Sequence, residues 1–507
     1  LERLSEGLLR SGRIEAKGLK LPPKGILEAP VRVLQFGEGN FLRAFVDWML
    51  QRAFEAGVFQ GRAVAVQPIP EGRAKELNAS DCLFTVVARG LRGGKPCEEM
   101  ELVGSLRRVV RAYGEWEEVL RTARSPDLRL IASNTTEAGI ALDPNDRYED
   151  DPPRSFPAKL TRLLHERYRA LGRDGSGLVV VPCELIDRNG EALRDCVLEL
   201  CGRWGLEGDF VDWVREECAF CSSLVDRIVT GFPREEAEEL FERLGYRDEN
   251  LVSCELFHLW AIEAPDWVAE EIPLHRAGLN VVFAEDIRPY RERKVRLLNG
   301  GHTSSVAAGY LSGLETVGEV MEDPVLGGFV RKVVLEEILP TVPGDEGSCR
   351  AFALEVLERF KNPYLRHPLL SIALNSASKM RVRVVPPLLD HLRLRGALPR
   401  GLVFSLASFA LFYRARRGEG GYFGLRDGKP YPLRDEEEHL SFMARVWEEF
   451  ERGPSDLDGL VRRVLSRREI WGVDLTEVEG LPEAVGSSLR LAMEKGIRGA
   501  LVELGLC

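Results

Sequence analysis

Three residues able to handle a proton fall close together in one segment, Arg291-Glu-Arg-Lys-Val-Arg-Leu-Leu-Asn-Gly-Gly-His-Thr-Ser-Ser305. Lys294 offers an amine, Asn299 an amide and His302 an imidazole, with Val295, Leu297 and Leu298 spaced between them as on a helix. At roughly 100° per residue the three lie within an arc of about 140° on an α-helix, so all could face one pocket. An amine, an amide and an imidazole are the groups that move a proton on and off an alcohol oxygen while holding that oxygen in place. The same stretch also reads as a surface helix with a basic face, because Arg291, Arg293 and Arg296 flank the lysine. Spacing does not separate these readings, and the elements that would position the three residues must be considered.

The chain has 507 residues, 44% of them hydrophobic, enough for a large core and, at roughly 150 residues per domain, for two to four domains. A formal net charge of −11 argues against a nucleic-acid or anionic-membrane partner, which would want a basic surface. No apolar run approaches the roughly 18 residues of a spanning helix and no signal-peptide core is visible, so the expectation is a soluble, cytoplasmic protein with no membrane partner. Ten cysteines are too sparse for a disulfide framework, and Cys218-Ala-Phe-Cys221 is the only CxxC. No second pair stands at zinc spacing, and the seven histidines are scattered, so no metal site is expected.

After a charged lead-in punctuated by Pro22, Pro23 and Pro30, the run Val31 to Phe36 reads as a buried strand. Gly37-Glu-Gly39-Asn40-Phe41 then turns at once into a helical pattern reaching Leu50. Strand, glycine turn and helix present backbone N–H groups and a positive helix end to a pyrophosphate. Leu42 occupies the third glycine position of the usual fingerprint, which leaves dinucleotide binding and an ordinary turn both open. A second strand, Ala63 to Gln67, ends in an amide where NAD-binding units often place an acid for the ribose. Leu128 to Ser133 is a further strand and leads into Asn134-Thr-Thr136-Glu137, a polar loop of the kind that binds ligands at a strand's C-terminal end. Gly177 to Pro182 is another, and helical patterns at 115–124, 157–171 and 191–204 alternate with these strands. The alternation predicts an α/β N-terminal domain with a Rossmann-like, doubly wound, mostly parallel sheet. From about Pro289 onward the patterns are helical, at 324–338, 349–360, 368–379, 402–415, 435–452 and 482–506, with a glycine-rich loop at 416–426. The expected division is therefore a dinucleotide-binding domain at 1–288 and a mainly α-helical catalytic domain at 289–507. Lys294 to His302 would lie just past the boundary, where a cleft between the halves is the usual place for a small-molecule site.

These motifs resemble the long-chain polyol dehydrogenases, the mannitol dehydrogenase family, over almost the whole chain. Gln35-Phe-Gly-Glu-Gly-Asn-Phe-Leu-Arg-Ala-Phe45 is similar to the cofactor loop of the tagaturonate reductase branch, whereas mannitol dehydrogenases and fructuronate reductases tend to read Gly-x-Gly-x-Phe-His-Arg-Ala-His. Val66 to Pro70, Pro182 to Gly190, Leu224 to Gly231, His258 to Glu263, Asn362 to His367, Ser371 to Lys379 and Trp471 to Leu475 resemble the same branch, in the same order. The family signature is a lysine, an asparagine five residues on and a histidine three beyond it, which Lys294, Asn299 and His302 match.

The resemblance implies a metal-free, NAD-dependent dehydrogenase reducing a hexuronate, D-tagaturonate to D-altronate in hexuronate catabolism. In that pattern the lysine is the general acid/base, the asparagine polarises the carbonyl, and the histidine bonds a substrate hydroxyl. Arg291, Arg293 or Arg296, if close, would help the lysine release its proton by like-charge repulsion. Cofactor contacts are expected at Phe36, Gly37, Gly39, Asn40, Phe41, Gln67, Asn134, Thr136 and Glu137. A hexuronate needs a cation for its carboxylate, for which Arg366 and Lys379 are the candidates, with Asp226 as an acid lining the site or pairing with Arg227. His258 and His367 read rather as packed or capping histidines. The second asparagine of the polyol branch falls at Leu185 here, so a second oxyanion donor is unassigned and Asn189 does not simply replace it. Fructuronate reduction or mannitol oxidation is the rival within the class, and a non-catalytic dinucleotide- or carbohydrate-binding sensor the rival outside it. Oligomeric state and physiological direction stay open.

Overall fold

The computed structural model describes every residue except Glu137, Gly175, Pro454 and Ser455. It divides into two compact units, one of residues 1–90 and 97–287, the other of residues 91–96 and 288–507.

The first unit is built on six parallel strands: β1 (Val31–Phe36), β2 (Arg62–Gln67), β3 (Leu106–Arg111), β4 (Leu130–Ser133), β5 (Val179–Pro182) and β6 (Ala219–Phe220). Their order is 3-2-1-4-5-6, with every neighbouring pair parallel. The strands read as continuous apolar runs because both faces are covered. Successive residues point to opposite sides. Val33, Ala63, Ala65, Leu130, Ala132, Val179 and Val181 enter one core, which the helix beginning at Asn40 covers with Phe45, Met49 and Leu50. Leu34, Phe36, Val64, Val66, Ile131 and Val180 enter the other, under the helices Trp116–Ala123, Phe156–Leu171 and Asn189–Arg203. The strand order reverses between β1 and β4, the crevice where open α/β sheets take their ligands.

Two further sheets belong to this unit. One has five strands and contains Phe84–Arg92 and Lys95–Val103, a hairpin whose alternation was not recognised in the sequence. The stretch Leu224–Thr230 is split between two strands, Ser223–Asp226 and Val229–Gly231, which join different sheets.

The second unit is helical, as expected, with two departures. The glycine-rich stretch at 416–426 is not a loop. With Lys429–Leu433 it forms a three-stranded antiparallel sheet of Arg416–Gly418 and Gly421–Arg426, because Gly421 (φ 109°) and Gly428 (φ 76°) make the tight turns. The expected helix at 368–379 is broken: Leu369–Ile372 ends, Asn375 adopts φ 52°, and a new helix runs from Ser376 to Arg383. Asparagine tolerates that left-handed conformation better than other side-chain-bearing residues, and the break gives Lys379 and Arg383 a helix of their own.

Candidate active site

The glycine turn of the first unit sits at the end of β1. The Gly37 N–H donates to the Val66 carbonyl at 2.9 Å, and the Asn134 N–H donates to the Phe36 carbonyl at 3.0 Å, so the loops after β1, β2 and β4 are tied together. Gly37 has φ 114°, and a Cβ there would lie 3.1 Å from the Asn134 carbonyl oxygen and 3.2 Å from Leu42 Cδ1. Gly39 is different: nothing lies within 4 Å of where its Cβ would be. It is the N-cap of the helix that runs on through Glu55, and no side chain caps that end. Uncapped N–H groups at a helix start, facing open space at the switch point of a parallel sheet, fit a pyrophosphate.

Arg43, which the sequence did not single out, holds this turn. Its buried guanidinium donates to the Glu38 carbonyl at 3.3 Å, to Asn40 Oδ1 at 2.6 Å and to the Asn250 carbonyl. Burial lowers its pKa to about 10, still high enough to keep it charged. Asn40 is thereby occupied on Arg43, with its amide nitrogen against Gly231, where a Cβ would come within 2.6 Å. Phe41 is half-buried and stacks on Phe45 at 4.8 Å. Phe36 points into the core against Phe156, with ring centroids 4.9 Å apart, so only its backbone reaches the loop. Gln67 is buried, donates to the Ile69 and Pro70 carbonyls at 3.0 and 2.9 Å and accepts the Ala74 N–H at 3.0 Å. Its amide therefore shapes the loop after β2.

The loop after β4 is held by another unforeseen residue, Glu184. This buried carboxylate accepts the Ser133 hydroxyl (3.0 Å) and both the N–H and hydroxyl of Thr135 (each 2.9 Å). Thr136 follows, exposed and at φ 115°. Glu137 lies outside the described residues. Asn189 is consumed internally, its amide donating to the Pro182, Glu184 and Ser223 carbonyls, while Leu185 is 65% exposed. Below the turn, Gln35 donates to the Gly37 carbonyl (3.3 Å) and to Asp47 (3.2 Å), while Gln35 Oε1 and Asp47 Oδ1 find no partner. Burial raises the Asp47 pKa to about 7. Asp226 is buried at the end of its strand, and Arg227 donates to the Glu255 and Ala44 carbonyls while lying 4.3 Å over the Trp48 ring. His258 is packed, accepting the Asn280 N–H at 3.1 Å, and burial lowers its pKa to about 4.

In the second unit the helix carrying the lysine changes character at that residue. It is α-helical over Arg288–Arg293, π-helical over Lys294–Asn299, and α-helical again over Gly300–Leu311. The Gly300 N–H bonds the Val295 carbonyl five residues back. With i→i+5 closure the turn widens to roughly four and a half residues, placing Lys294 and Asn299 about 40° apart around the axis. His302, three α-helical residues further, then completes an arc of about 60° in place of the 140° expected for an unbroken α-helix. An ideal turn of that width would bring the three closer to one face than an unbroken α-helix does. Arg293 donates to Ser348 (2.8 Å) and lies 4.6 Å over the Phe352 ring, while Arg296 pairs with Asp390 at 2.7 Å. Arg296 is therefore neutralised rather than left to repel the lysine.

His302 is half-buried, stacked on Phe360 at 4.1 Å and edge-on to His367 at 5.2 Å. Burial, then His367, Arg359 and Arg383, depress its pKa well below the ordinary value, so it is a neutral imidazole. His367 is thus a packed histidine and a neighbour of His302. Lys379 donates to the Ile372 carbonyl at 2.7 Å, and its pKa is lowered by burial and by Arg383. Arg366 is exposed.

The parallel 3-2-1-4-5-6 sheet with its glycine turn defines a Rossmann-type oxidoreductase architecture, here followed by a helical unit. The chain belongs to the mannitol dehydrogenase family: the mannitol dehydrogenase Rossmann domain matches residues 31–276 and the mannitol dehydrogenase C-terminal domain matches residues 286–492. It is 44% identical to an altronate oxidoreductase of Yersinia enterocolitica over 93% of this chain and 96% of that one. It is 42% identical to an altronate oxidoreductase of Halalkalibacterium halodurans over 99% and 97%. Among solved structures, a substrate-free D-sorbitol dehydrogenase aligns with TM-score 0.80 at 22% identity, covering 98% of this chain and 100% of its own. The Pseudomonas fluorescens mannitol 2-dehydrogenase in ternary complex with NAD and D-mannitol aligns with TM-score 0.67 at 22% identity, covering 99% of each chain.

Proposed function

We propose that this chain is an NAD-dependent tagaturonate reductase, reducing the ketone of D-tagaturonate to D-altronate and running the reverse reaction with the same groups. The observation that carries this reading is the 42–44% identity to altronate oxidoreductases along nearly the full chain. The narrow arc shared by Lys294, Asn299 and His302 supports it further. The dinucleotide, when bound, supplies the hydride that the carbonyl carbon receives. The open N-terminal end at Gly39 supports the pyrophosphate's place, with the backbone of Gly37, Asn134 and Thr136 around it. As the carbonyl π pair moves onto oxygen, the Lys294 ammonium gives that oxygen its proton and later regains one from solvent. The Asn299 amide donates to the same oxygen, where negative charge develops. His302, neutral, meets a substrate hydroxyl as a hydrogen-bond partner and carries no charge of its own. A cytoplasmic location belongs to the same reading and is supported by ten cysteines that all remain free thiols. No helix among the described residues is long and apolar enough to cross a membrane.

The test is loss of NADH absorbance with D-tagaturonate, D-fructuronate and D-fructose in parallel, with NADPH as control. Preference for D-tagaturonate with NADH is expected. Fructose as the best substrate would refute the hexuronate reading, and NADH binding without turnover on any of them would favour a sensor. Lys294→Ala should lower kcat about a thousandfold while leaving NADH affinity within a factor of about three. Unchanged turnover would remove the lysine from the mechanism.

A further inference from the structure

The carboxylate that separates a hexuronate from a neutral sugar needs a cation with no acid of its own. Several arginines of the second unit have one: Arg296 pairs with Asp390 (2.7 Å), Arg498 with Asp323 (2.8 Å) and Arg426 with Glu315. Arg383 does not. It is half-buried, and its one hydrogen bond among the described residues is a long contact of 3.5 Å from Nη1 to Thr303 Oγ1, the residue following His302. Burial alone lowers its pKa, and no carboxylate acts to raise it. Lys379 lies one helical turn before it on the same short helix, and i, i+4 positions share a face. The acid that acts on Lys379, Asp435, is already engaged by the Tyr413 hydroxyl (2.5 Å), the Ala377 N–H (2.9 Å) and the Glu436 N–H (2.8 Å). A partly desolvated guanidinium without a counter-ion is costly to hold unless an anion completes it. The backbone fixes it there, since a Cβ on Gly300 would lie only 3.0 Å from the Arg383 carbonyl, leaving the two helices no slack.

We infer that Arg383 is the specificity-determining residue of this enzyme, binding the carboxylate of the hexuronate beside His302 with Lys379 as a second, weaker cation. The inference rests on the function proposed above. Arginine suits the task because its fork can take both carboxylate oxygens while Nη1 stays near Thr303. Arg366, the other cation suggested by the sequence, is exposed, so water already solvates its charge.

The experiment measures steady-state kinetics of wild type, Arg383→Gln, Arg383→Lys and the control Arg366→Gln. Substrates are D-tagaturonate and D-tagatose, the latter carrying a neutral hydroxymethyl group where the former carries the carboxylate. Arg383→Gln should raise KM for D-tagaturonate about a hundredfold, with kcat within about fivefold and kcat/KM for D-tagatose within about threefold. Arg383→Lys should recover part of the loss, and Arg366→Gln should match wild type within about twofold. NADH titration of each variant shows that the fold is intact. An equal loss on both sugars, or no change in KM for D-tagaturonate, overturns the inference while leaving the function standing. Absence of wild-type turnover on D-tagaturonate overturns both. Should neither Arg383 variant fold, peptide-mapped phenylglyoxal labelling of the wild type decides the question. D-altronate should shield Arg383 at least about tenfold better than D-altritol, and equal labelling overturns the assignment.

Discussion

The two glycines of the turn after β1 are expected to fail in different ways when given a methyl group. In Gly37→Ala the new Cβ is forced into φ 114°, which costs about 1–3 kcal/mol for an L-residue. It also lies 3.1 Å from the Asn134 carbonyl oxygen, a backbone atom that cannot swing away, and 3.2 Å from Leu42 Cδ1, which can; about 1 kcal/mol more is expected from that crowding. The sum, about 2–4 kcal/mol, corresponds to a fall in melting temperature of roughly 5–10 °C for a unit of this size. Gly39→Ala has φ −68° and ψ 172°, an ordinary extended conformation, and its Cβ meets nothing within 4 Å. Alanine is a poorer N-cap than glycine, but it also restricts the unfolded chain, and the two effects offset to within about 1 kcal/mol. The open space it enters is where the pyrophosphate is proposed to lie, so NADH affinity should drop about 10–100-fold. Thermal melts and NADH fluorescence titrations on both variants provide the assay. If Gly39→Ala binds NADH as wild type does, the pyrophosphate does not approach this helix end and the reasoning is refuted. A Gly37→Ala protein as stable as wild type would show the strain argument to be wrong.

Two further outcomes follow from buried carboxyl groups in the same unit. Asp47 has its folded pKa raised to about 7 from 3.8, so the folded state holds a proton that the unfolded chain releases near pH 4. Stability should therefore fall as pH rises from about 4 to about 7, and Asp47→Asn should flatten that slope in melts taken between pH 5 and pH 8. At pH 8 the asparagine, able to donate to the unpartnered Gln35 Oε1, should be the more stable by about 1 kcal/mol or more; an unchanged slope would mean Asp47 stays ionised. Glu184→Ala leaves the Thr135 N–H and hydroxyl without their acceptor and should cost about 2–4 kcal/mol and weaken NADH binding, whereas Glu184→Gln should cost less than about 1 kcal/mol. Equal effects from the two changes, read by the same melts, would count against the carboxylate as the anchor of the loop after β4.

The sequence alone was enough for the alternation of apolar strands with helices, because each strand is buried on both faces and so reads as an uninterrupted run. It was also enough for the glycine turn, whose backbone needs appear as residue types, and for Lys294, Asn299 and His302, whose spacing is local. Long-range placement was not legible. Arg43 and Glu184 hold the two cofactor-side loops through partners up to about two hundred residues away, such as the Asn250 carbonyl, and nothing in the local spacing marks them. The π-turn at Lys294–Asn299 could not be read from a periodicity that assumes 3.6 residues per turn, although an ideal turn of that kind changes which residues share a face. Nor did Arg383 stand out among 69 basic residues. What distinguishes it is its partial burial close to Thr303 and His302, and that depends on how the chain, broken at Asn375, packs its next helix against the one that carries His302. Residue type and short-range spacing are written along the chain, whereas which charges are left without counter-ions is decided only when distant helices meet.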